Sequence, residues 1–356
     1  MQNQLASSTS NVYYHEINFV RAIAALAVVM VHVTAANYHL NDKTLDGILL
    51  FLNQISRFGT PFFALISGFL LYNQAIKNRY NFKKFVKSRL TKVVIPFIIW
   101  SFIYLLINSY SFSNISNLKE LKEFLYYFFT GKSSYHLYFI AVVIQFYLLF
   151  PFIQRLNSKR HLFLLTIIGL YLNYFHIVTP FEIGTGLIKE FTRERAFIFY
   201  WLFYFFLGGL LVHYWKNIVT KIRENLLLVT GLGFTALLFM SYDYMTSSYI
   251  KSSTRPANLI NVPILLLSFT GLYYLLDKLK GIRKLLLMIG NFSMGIYLVH
   301  PLIIFIIREN IPWMLKYKEW IPLSYILIVF CSILTVKLIH RLPLGDYIVI
   351  IARRKH

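Results

Sequence analysis

An arginine and a histidine stand eleven positions apart in the first long apolar segment of the chain, at Arg21 and His32. Eleven residues make about three helical turns, so both side chains lie on one helix face, ~16 Å apart along the axis. A guanidinium can hold phosphate or carbonyl oxygens, and a neutral imidazole can remove a proton from a hydroxyl. The structural alternative is an arginine that snorkels to the interface and a histidine that hydrogen-bonds within a bundle. Because ionisable groups inside a membrane helix are costly, we treat the pair as a functional candidate.

Basic residues also cluster at the start of the third apolar segment. Arg89 and Lys92 are one helical turn apart, and Lys87 stands just before them. Pro96 follows, and its ring should kink the helix and free backbone groups nearby. This pattern predicts a group of cations at the mouth of a helix.

Small and polar residues interrupt the second apolar segment. Arg57 lies in its first half, and Ser67-Gly68 lies further along. Small residues let helix backbones approach closely, so helix packing alone accounts for Ser67-Gly68. A nucleophilic role for Ser67 would need an adjacent base, which the sequence does not show.

Two later segments supply the remaining candidates for chemistry. Ser293, Tyr297 and His300 follow i, i+4, i+7 spacing and form a polar stripe on an otherwise apolar helix. His136 stands at the start of the fourth apolar segment. We interpret the other seven histidines, His176 among them, as structural.

Composition shows which elements must position these residues. Hydrophobic residues make up 57% of the 356 residues and charged residues 14%, whereas soluble domains carry about 25% charged residues. Apolar runs of about 20 residues recur throughout, each matching a hydrocarbon core of ~30 Å. The runs are continuous rather than alternating, which indicates helices and not a barrel. The sequence predicts a single-domain, all-α polytopic integral membrane protein over residues 1–356, with about ten spans at 17–36, 48–74, 93–112, 137–153, 161–178, 196–215, 225–245, 257–276, 285–307 and 322–343.

The distribution of basic residues predicts the orientation in the membrane. Connections after spans 2, 4, 6 and 8, together with the C-terminal tail, hold 20 Lys and Arg, whereas the opposite connections hold 12. By the positive-inside rule both termini are cytoplasmic, and an even number of spans agrees with that. His32, Arg57, His136 and His300 then fall at similar depth toward the outside, and Arg21, Arg89 and Lys92 toward the inside. We therefore expect cations inward and imidazoles outward, along one shared passage.

The net charge of +22 follows this membrane topology and does not predict a nucleic-acid partner. The densest basic stretch is the cytoplasmic segment 77–92, in which apolar residues recur at helical spacing. It fits contact with anionic lipids, or a docking surface for a multiply phosphorylated cytosolic ligand. The outer segment 113–136 is predicted to contain a short amphipathic helix from Asn117 to Phe129.

The chain resembles the acyltransferase family 3 membrane proteins, through five motifs that run in order over nearly its whole length. An arginine, ten residues and a histidine characterise the family's first helix, as in Arg21 to His32. The other four motifs appear, with one extra residue before Ser67, at Phe62–Phe69, Arg89–Trp100, His136–Ile140 and Ser293–Pro301. Two positions depart from the pattern: Asn18 stands where an acidic residue is common, and Lys92 where a second arginine is common. These departures leave the preferred acyl donor open.

The resemblance implies a membrane O-acyltransferase of a bacterial plasma membrane that needs no metal. Acyl-CoA, most simply acetyl-CoA, would dock its phosphates on Arg89, Lys92, Lys87 and Arg21. His32 would take the proton from an acceptor hydroxyl, and His300, His136 or Tyr297 would orient that hydroxyl or the thioester carbonyl. The acceptor would be a cell-surface glycan or a lipid-linked sugar, with the polysaccharide-synthesis machinery as a partner.

Two other functions fit the same sequence. The chain is also similar to the polysaccharide intercellular adhesin biosynthesis proteins of Gram-positive bacteria, for which both O-acylation and polymer export have been considered. An exporter or flippase for a glycan or lipid-linked sugar would also need many helices and an aqueous path. A sensor or scaffold in a polysaccharide-synthesis complex would need neither Arg21 nor His32.

Overall fold

A computed structural model describes residues 13–77, 80–112, 121–245 and 252–352. Within these ranges the secondary structure is helical and contains no strands, which confirms the all-α prediction. Three short 3-10 helices lie at Ser56–Phe58, Ile198–Tyr200 and Lys318–Trp320, and a π-helical segment lies at Leu90–Val94. The α-helices are α1 His15–Leu40, α2 Gly47–Ile55, α3 Gly59–Ile76, α4 Phe82–Arg89, α5 Ile95–Phe112, α6 Leu121–Phe129, α7 Tyr138–Ile153, α8 Lys159–Val178, α9 Leu187–Arg193, α10 Leu202–Glu224, α11 Leu226–Met245, α12 Ala257–Leu275, α13 Lys280–Asn310, α14 Trp313–Lys316, α15 Ile321–Arg341 and α16 Gly345–Ile348.

The membrane-spanning prediction is confirmed, with one short helix. Among the described residues, 9 helical segments are long and apolar enough to cross a bilayer. The fourth predicted span is helix α7, whose 16 residues make it shorter than the others. Side chains on α8, α11 and α15 present large apolar surfaces outward, as lipid-facing helices do, among them Phe163, Leu164, Leu227, Phe234, Ile326 and Phe330.

Two predicted helices have different shapes in the structure. The second span is broken, because the 3-10 turn Ser56–Phe58 separates α2 from α3. The third span begins earlier than predicted, since α4, the π-helical segment and α5 follow one another without a gap. Pro96 lacks an N–H and its ring crowds the preceding turn, which agrees with a widened π turn directly before it. The predicted outer amphipathic helix starts at Leu121 in α6, and residues 113–120 lie outside the described ranges.

Helix α1 lies at the centre of the bundle and packs against α13, α3, α12 and α15. Asn18 joins it to α13 by donating to the Leu287 carbonyl at 2.8 Å and to Asn291 Oδ1 at 3.1 Å. At the other end of α1, Asn37 donates to the carbonyls of Leu315 and Lys316, both at 2.8 Å. The helix that carries Arg21 and His32 is therefore fixed at both ends.

Glycines set the closest helix crossing, between α3 and α10. A Cβ added at Gly68 would lie 1.9 Å from the Phe205 carbonyl oxygen, and one added at Gly208 would lie 2.0 Å from the Leu65 carbonyl oxygen. Backbone therefore meets backbone here, and the prediction that Gly68 serves packing is confirmed. The neighbouring Ser67 points elsewhere, into a cavity described below.

Both ends of the described chain meet on the same side of the bundle. The Tyr13 hydroxyl donates to Asn291 Oδ1 at 2.9 Å, and the Ala352 N–H donates to the Asn291 carbonyl at 2.9 Å. Trp100 donates its indole N–H to the Ile348 carbonyl at 3.0 Å, which holds the C-terminal segment against α5. An even number of membrane crossings puts both ends on one side, as the sequence predicts.

Candidate functional site

A cavity of about 240 Å³ opens among α1, α3, α7 and α13, and we call it the inner cavity. Ile350, from the C-terminal segment, lines it, so it lies toward the side where the chain ends meet. Arg21, Arg89 and Lys92 line it together, although Arg21 lies almost 70 positions before the other two in the chain. None of the described residues that line it is acidic. The predicted convergence of these three cations is present in the structure.

Aromatic rings rather than acids hold Arg89 in place. Its guanidinium carbon lies 4.9 Å from the ring centroid of Tyr147 and 5.3 Å from that of Phe85. Its Nε atom is buried without a hydrogen-bond partner in the described structure. Lys87 is exposed on α4 and does not line the cavity, so the structure does not place it with the other predicted donor-binding residues. A cation stacked in this way keeps donors available for an anionic ligand.

The rest of the inner cavity is mainly apolar with a few hydroxyls. Ser67, Ser293 and Tyr297 line it beside aliphatic and aromatic side chains. Ser293 is fully buried, and its hydroxyl has no hydrogen-bond partner among the described residues. Ligand pockets for whole drug-sized molecules measure roughly 300–1,000 Å³. The inner cavity therefore suits the narrow arm of a large donor, with the bulky part remaining at the mouth.

A second cavity, of about 260 Å³, lies further along α1 and contains His32; we call it the outer cavity. Tyr135 and Tyr138 line it, and three arginines line it as well, Arg57, Arg195 and Arg308. The prediction of cations inward and imidazoles outward is therefore wrong for the outer half, which holds both. Arg195 lies in the connection before α10, and Arg308 lies in the last turn of α13, just beyond the predicted ninth span, so in the sequence both count only as charges of the outer connections. His39, interpreted as structural, also lines this cavity.

Three histidines and a tyrosine form a chain of contacting rings between the cavities. The centroid of His32 lies 5.3 Å from that of His300, and His300 lies 5.5 Å from His136. His136 in turn lies 5.4 Å from Tyr297, which lines the inner cavity. The sequence places these residues at similar depth, and the structure brings them into contact. We call these four residues the imidazole chain.

Hydrogen bonds fix the orientation of two of these imidazoles. His300 Nδ1 lies 2.9 Å from the Ile296 carbonyl oxygen, which can only accept, so Nδ1 carries the proton. In the neutral ring, Nε2 of His300 then carries a lone pair. His136 Nδ1 lies 3.0 Å from Ser134 Oγ. The Nε2 atoms of both rings are buried without a partner in the described structure, an arrangement that is unusual for a purely structural histidine.

His136 reaches its position because the backbone before α7 is not helical. Residues 130–137 form turns, and Ser133, Ser134 and His136 within them are buried. Gly131 adopts a φ of 74°. A Cβ there would lie 2.6 Å from the Leu137 carbonyl carbon, so the turn requires glycine. Irregular backbone at membrane depth is tolerated where it is buried in protein, as it is here.

Tyr104 holds the part of α13 that carries His300. Its hydroxyl donates to the Leu298 carbonyl at 2.7 Å and accepts from the Leu302 N–H at 3.2 Å. These two backbone groups are i and i+4, on either side of Pro301, which has no N–H of its own. The sequence did not mark Tyr104 because its role depends on contacts almost 200 positions away in the chain, with |i−j| of 194 and 198.

Tyr297 is already engaged through its hydroxyl. It donates to the main-chain carbonyl of His136, and this bond joins α13 to the turn before α7. The bond makes Tyr297 a residue that positions His136. The prediction that Tyr297 orients a substrate group remains a prediction.

Among the described residues, none lines both the inner and the outer cavity. Phe63 lies between them, with its ring centroid 6.3 Å from Phe139 and 6.0 Å from Tyr297. His136 and His300 fill the remaining space, at 1% and 0% exposure. We call these five side chains the aromatic layer. The expectation that Arg21 and His32 line one shared passage is therefore wrong, because large rings close the space between them.

His176 lines neither the inner nor the outer cavity. His176 Nδ1 accepts the Phe181 N–H at 2.9 Å, and its ring contacts Tyr200 at 4.3 Å between centroids, as the structural interpretation predicts. Within the described ranges, no group of three His, Cys, Asp or Glu side chains is arranged to hold a metal ion.

Comparisons with known proteins agree with this architecture. The sequence profile of a family described as "Acyltransferase domain" matches residues 14–342. The "Probable poly-beta-1,6-N-acetyl-D-glucosamine export protein" of Staphylococcus aureus (strain MRSA252) is 27% identical over 305 residues, 81% of this chain and 82% of that protein. Its namesake from Staphylococcus epidermidis is 27% identical over 309 residues, 81% of each chain.

A relative with a different kind of name is similar to the same extent. The "Putative membrane-bound acyltransferase YfiQ" of Bacillus subtilis (strain 168) is 26% identical over 320 residues, 83% of each chain. No solved structure matches the chain. Since the family profile covers nearly the whole sequence, from the start of α1 to the end of α15, the chain belongs to the acyltransferase family 3 of membrane proteins.

Proposed function

We propose that this membrane protein transfers an acyl group, in the simplest case acetyl, from cytosolic acyl-CoA to a hydroxyl of a glycan outside the cell membrane. The observation that carries the proposal is the arrangement of the two cavities. Three cations line the inner one, His32 lines the outer one, and the imidazole chain connects them. An anionic donor and a hydroxyl acceptor can thus approach one reaction centre from opposite sides.

The donor would bind at the inner cavity through its phosphates. Arg89 and Lys92 stand where α4 leads into the π-helical segment, and Arg21 faces them from α1. Guanidinium groups bind phosphate through paired hydrogen bonds, and the lysine adds a point charge. The mainly apolar walls beyond them would take the pantetheine arm. This arrangement would place the thioester near Tyr297 and the aromatic layer.

The acceptor would bind at the outer cavity with its hydroxyl against His32. The His32 imidazole would remove the hydroxyl proton as the oxygen attacks the thioester carbonyl carbon. The carbon–sulfur bond then breaks, and the thiolate takes the proton back from the imidazolium. The products are the O-acyl ester and free coenzyme A. The sum of the two steps leaves His32 neutral and ready for the next acceptor.

This reaction requires the aromatic layer to open. Reacting atoms must approach to about 3–3.5 Å, whereas Phe63 and Tyr297 fill the space between thioester and hydroxyl. Rotation of the Phe63 ring away from the inner cavity would join the two spaces beside His300. Donor binding is the natural trigger, because its arm would occupy the cavity that Phe63 lines.

The test uses purified protein in liposomes with labelled acetyl-CoA on the side of the chain ends and glycan acceptors on the other. We expect label in the acceptor with wild type and none with His32→Ala. His39→Ala is the matched control, since His39 lines the same cavity from the same helix but lies outside the imidazole chain. If wild type transfers nothing from several donors to several acceptors, the proposal fails.

Export of a polysaccharide is the second candidate, because two relatives carry that name. Two cavities closed from each other by a layer of rings also fit a transporter that opens to one side at a time. For an exporter, His32→Ala would impair polymer secretion and leave acylation untouched. For the enzyme, the variant would export normal amounts of polymer that lacks acyl groups.

The proposed setting is the plasma membrane of a bacterium, with both chain ends in the cytoplasm. By the positive-inside rule the basic connections would face the cytoplasm, and Arg89 and Lys92 from one of them line the inner cavity, where cytosolic acyl-CoA would enter. The glycan or lipid-linked sugar acceptor and the synthesis machinery that supplies it belong to the same proposal.

A further inference from the structure

We infer that the outer cavity recognises an acidic group, a carboxylate or a phosphodiester, on the glycan that accepts the acyl group. The inference depends on the proposed function only in naming this glycan as the acyl acceptor. What binds beside His32 is a separate question. The observation that carries it is the presence of three arginines in one cavity, which no acidic residue lines among the residues that the structure describes. Arginine stays protonated in proteins, so this cavity is positive at every physiological pH.

The three arginines come from three separate elements. Arg57 lies in the 3-10 turn between α2 and α3, Arg195 in the connection before α10, and Arg308 in the last turn of α13. Like charges that converge repel one another, and a cleft with low-dielectric walls focuses their field. Such an arrangement is costly without an anion and favourable with one.

Structural roles account for only part of this charge. Arg57 donates from Nε and Nη2 to Asn53 Oδ1, at 3.1 and 2.7 Å, but the amide oxygen carries no formal charge. Arg308 pairs with Glu309 at 3.0 Å, so that positive charge is largely balanced. The charge of Arg195 therefore remains, because no acidic residue lines the cavity within the described ranges.

Arg195 is the residue best placed to meet a ligand. Its guanidinium carbon lies 5.2 Å from the ring centroid of Tyr138, which orients the group while leaving its N–H donors available. Its side chain forms no ion pair within the part of the chain that the structure describes. The adjacent Glu194 is engaged elsewhere, with Lys132 at 2.9 Å. Arg195 is exposed, so an arriving glycan can reach it from solvent.

The chemistry of a suitable ligand follows from these groups. Guanidinium recognises carboxylate and phosphate in the same planar, two-bond geometry. Tyr135 and Tyr138 add aromatic faces and hydroxyls that suit a sugar ring. A sugar bearing one acidic group would thus place that group at Arg195 and Arg57 and a neighbouring hydroxyl at His32. A neutral sugar would leave Arg195 without an anionic partner and bind less tightly.

Binding of three labelled oligosaccharides of equal length to the full chain in nanodiscs tests this inference. One is a neutral N-acetylglucosamine oligomer, one contains glucuronate, and one carries a glycerol-phosphate substituent. No acyl donor is present, so binding is measured whether or not transfer occurs. We expect at least one acidic oligomer to bind about tenfold or more tightly than the neutral one, with the preference falling as salt is added. The two acidic probes distinguish a carboxylate from a phosphodiester source.

Two variants from the same connection provide the matched comparison. Arg195→Gln should lower the affinity for the preferred acidic oligomer about tenfold and leave the neutral one unchanged. Arg193→Gln removes the same charge from a side chain that pairs with Glu182 at 3.5 Å and does not line the cavity, so it should change neither. Arg195→Lys should keep part of the preference for the acidic oligomer. If Arg195→Gln does not fold, Arg195→Lys and the salt titration of the wild-type protein replace it as the test.

Equal binding of all three oligomers, no binding of either acidic one, or equal losses in the two glutamine variants would each overturn the inference. The outcome is separable from that of the proposed function. Selective binding of an acidic oligomer without acyl transfer would reject the proposed enzyme activity and support the acidic site. Acyl transfer to neutral glycans without any preference for acidic oligomers would support the enzyme activity and reject the acidic site.

Discussion

Removing the hydroxyl of Tyr104, a residue of α5, tests whether this helix holds His300 in position. Tyr104→Phe deletes the group that donates to the Leu298 carbonyl and accepts from the Leu302 N–H. A hydrogen bond between membrane helices contributes about 0.6 kcal/mol on average, and one in a protein interior about 1 kcal/mol. Two lost bonds, with backbone groups left beside Pro301, should lower the free energy of unfolding by about 1–3 kcal/mol.

The effect on activity should be comparable, in free energy, to the effect on stability. His300 precedes Pro301 directly, so a shift of the unsupported turn moves its imidazole relative to His32. Misplacement by about 1 Å can cost up to about 100-fold in rate. We expect kcat for acyl transfer to fall while the KM for the donor stays near its wild-type value, because the inner cavity is unchanged.

The control is Tyr72→Phe, which removes an equally buried hydroxyl from α3. The Tyr72 hydroxyl has no hydrogen-bond partner in the described structure, so its loss should leave stability equal or slightly higher. Reversible unfolding in mixed micelles and single-turnover transfer would measure the two effects. If Tyr104→Phe and Tyr72→Phe behave alike in both assays, Tyr104 does not position α13, and the reasoning fails.

Three further substitutions probe other parts of the structure. Gly68→Ala should push α3 away from α10 and destabilise the protein by about 1–3 kcal/mol, whereas Gly231→Ala, with open space around its Cβ, should be neutral or stabilising in the same unfolding assay. Asn18→Asp loses two donated hydrogen bonds and buries a charge among oxygens, so its thermal unfolding temperature should fall, and an unchanged value would contradict the proposed link between α1 and α13. Lys92→Gln should raise the KM for acyl-CoA, while the exposed Lys87→Gln should change it little; equal effects would argue against the inner cavity as the donor site.

The helices were predictable because each apolar run meets a simple physical requirement. A bilayer demands about 20 apolar residues per crossing, and α1, α13 and α15 satisfy that in sequence as plainly as in structure. The break at Ser56–Phe58 was not predictable, because apolar residues continue on both sides of it and hydrophobicity alone does not report a change of helix type.

The candidate site was predictable where helical spacing carries the information. Ser293, Tyr297 and His300 repeat along one face, so their convergence follows from the geometry of one helix. Arg195 and Tyr104 lack such a signal. Arg195 lies in a connection whose path is set by tertiary packing, and the partners of Tyr104 lie on a helix far away in the chain. Rings that close a space, such as Phe63, look in sequence like any other lipid-facing or core aromatic residue.

The aromatic layer has a consequence for the energetics of the cell. A protein that admits water and ligands from both faces of a membrane endangers the proton and ion gradients across it. In the part of the bundle that the structure describes, the packed rings of Phe63, Phe139 and Tyr297 leave no continuous water path between the two cavities. Such a layer would insulate the bilayer electrically, and under the proposed function the same rings would part for each turnover and otherwise keep the resting protein from acting as a leak.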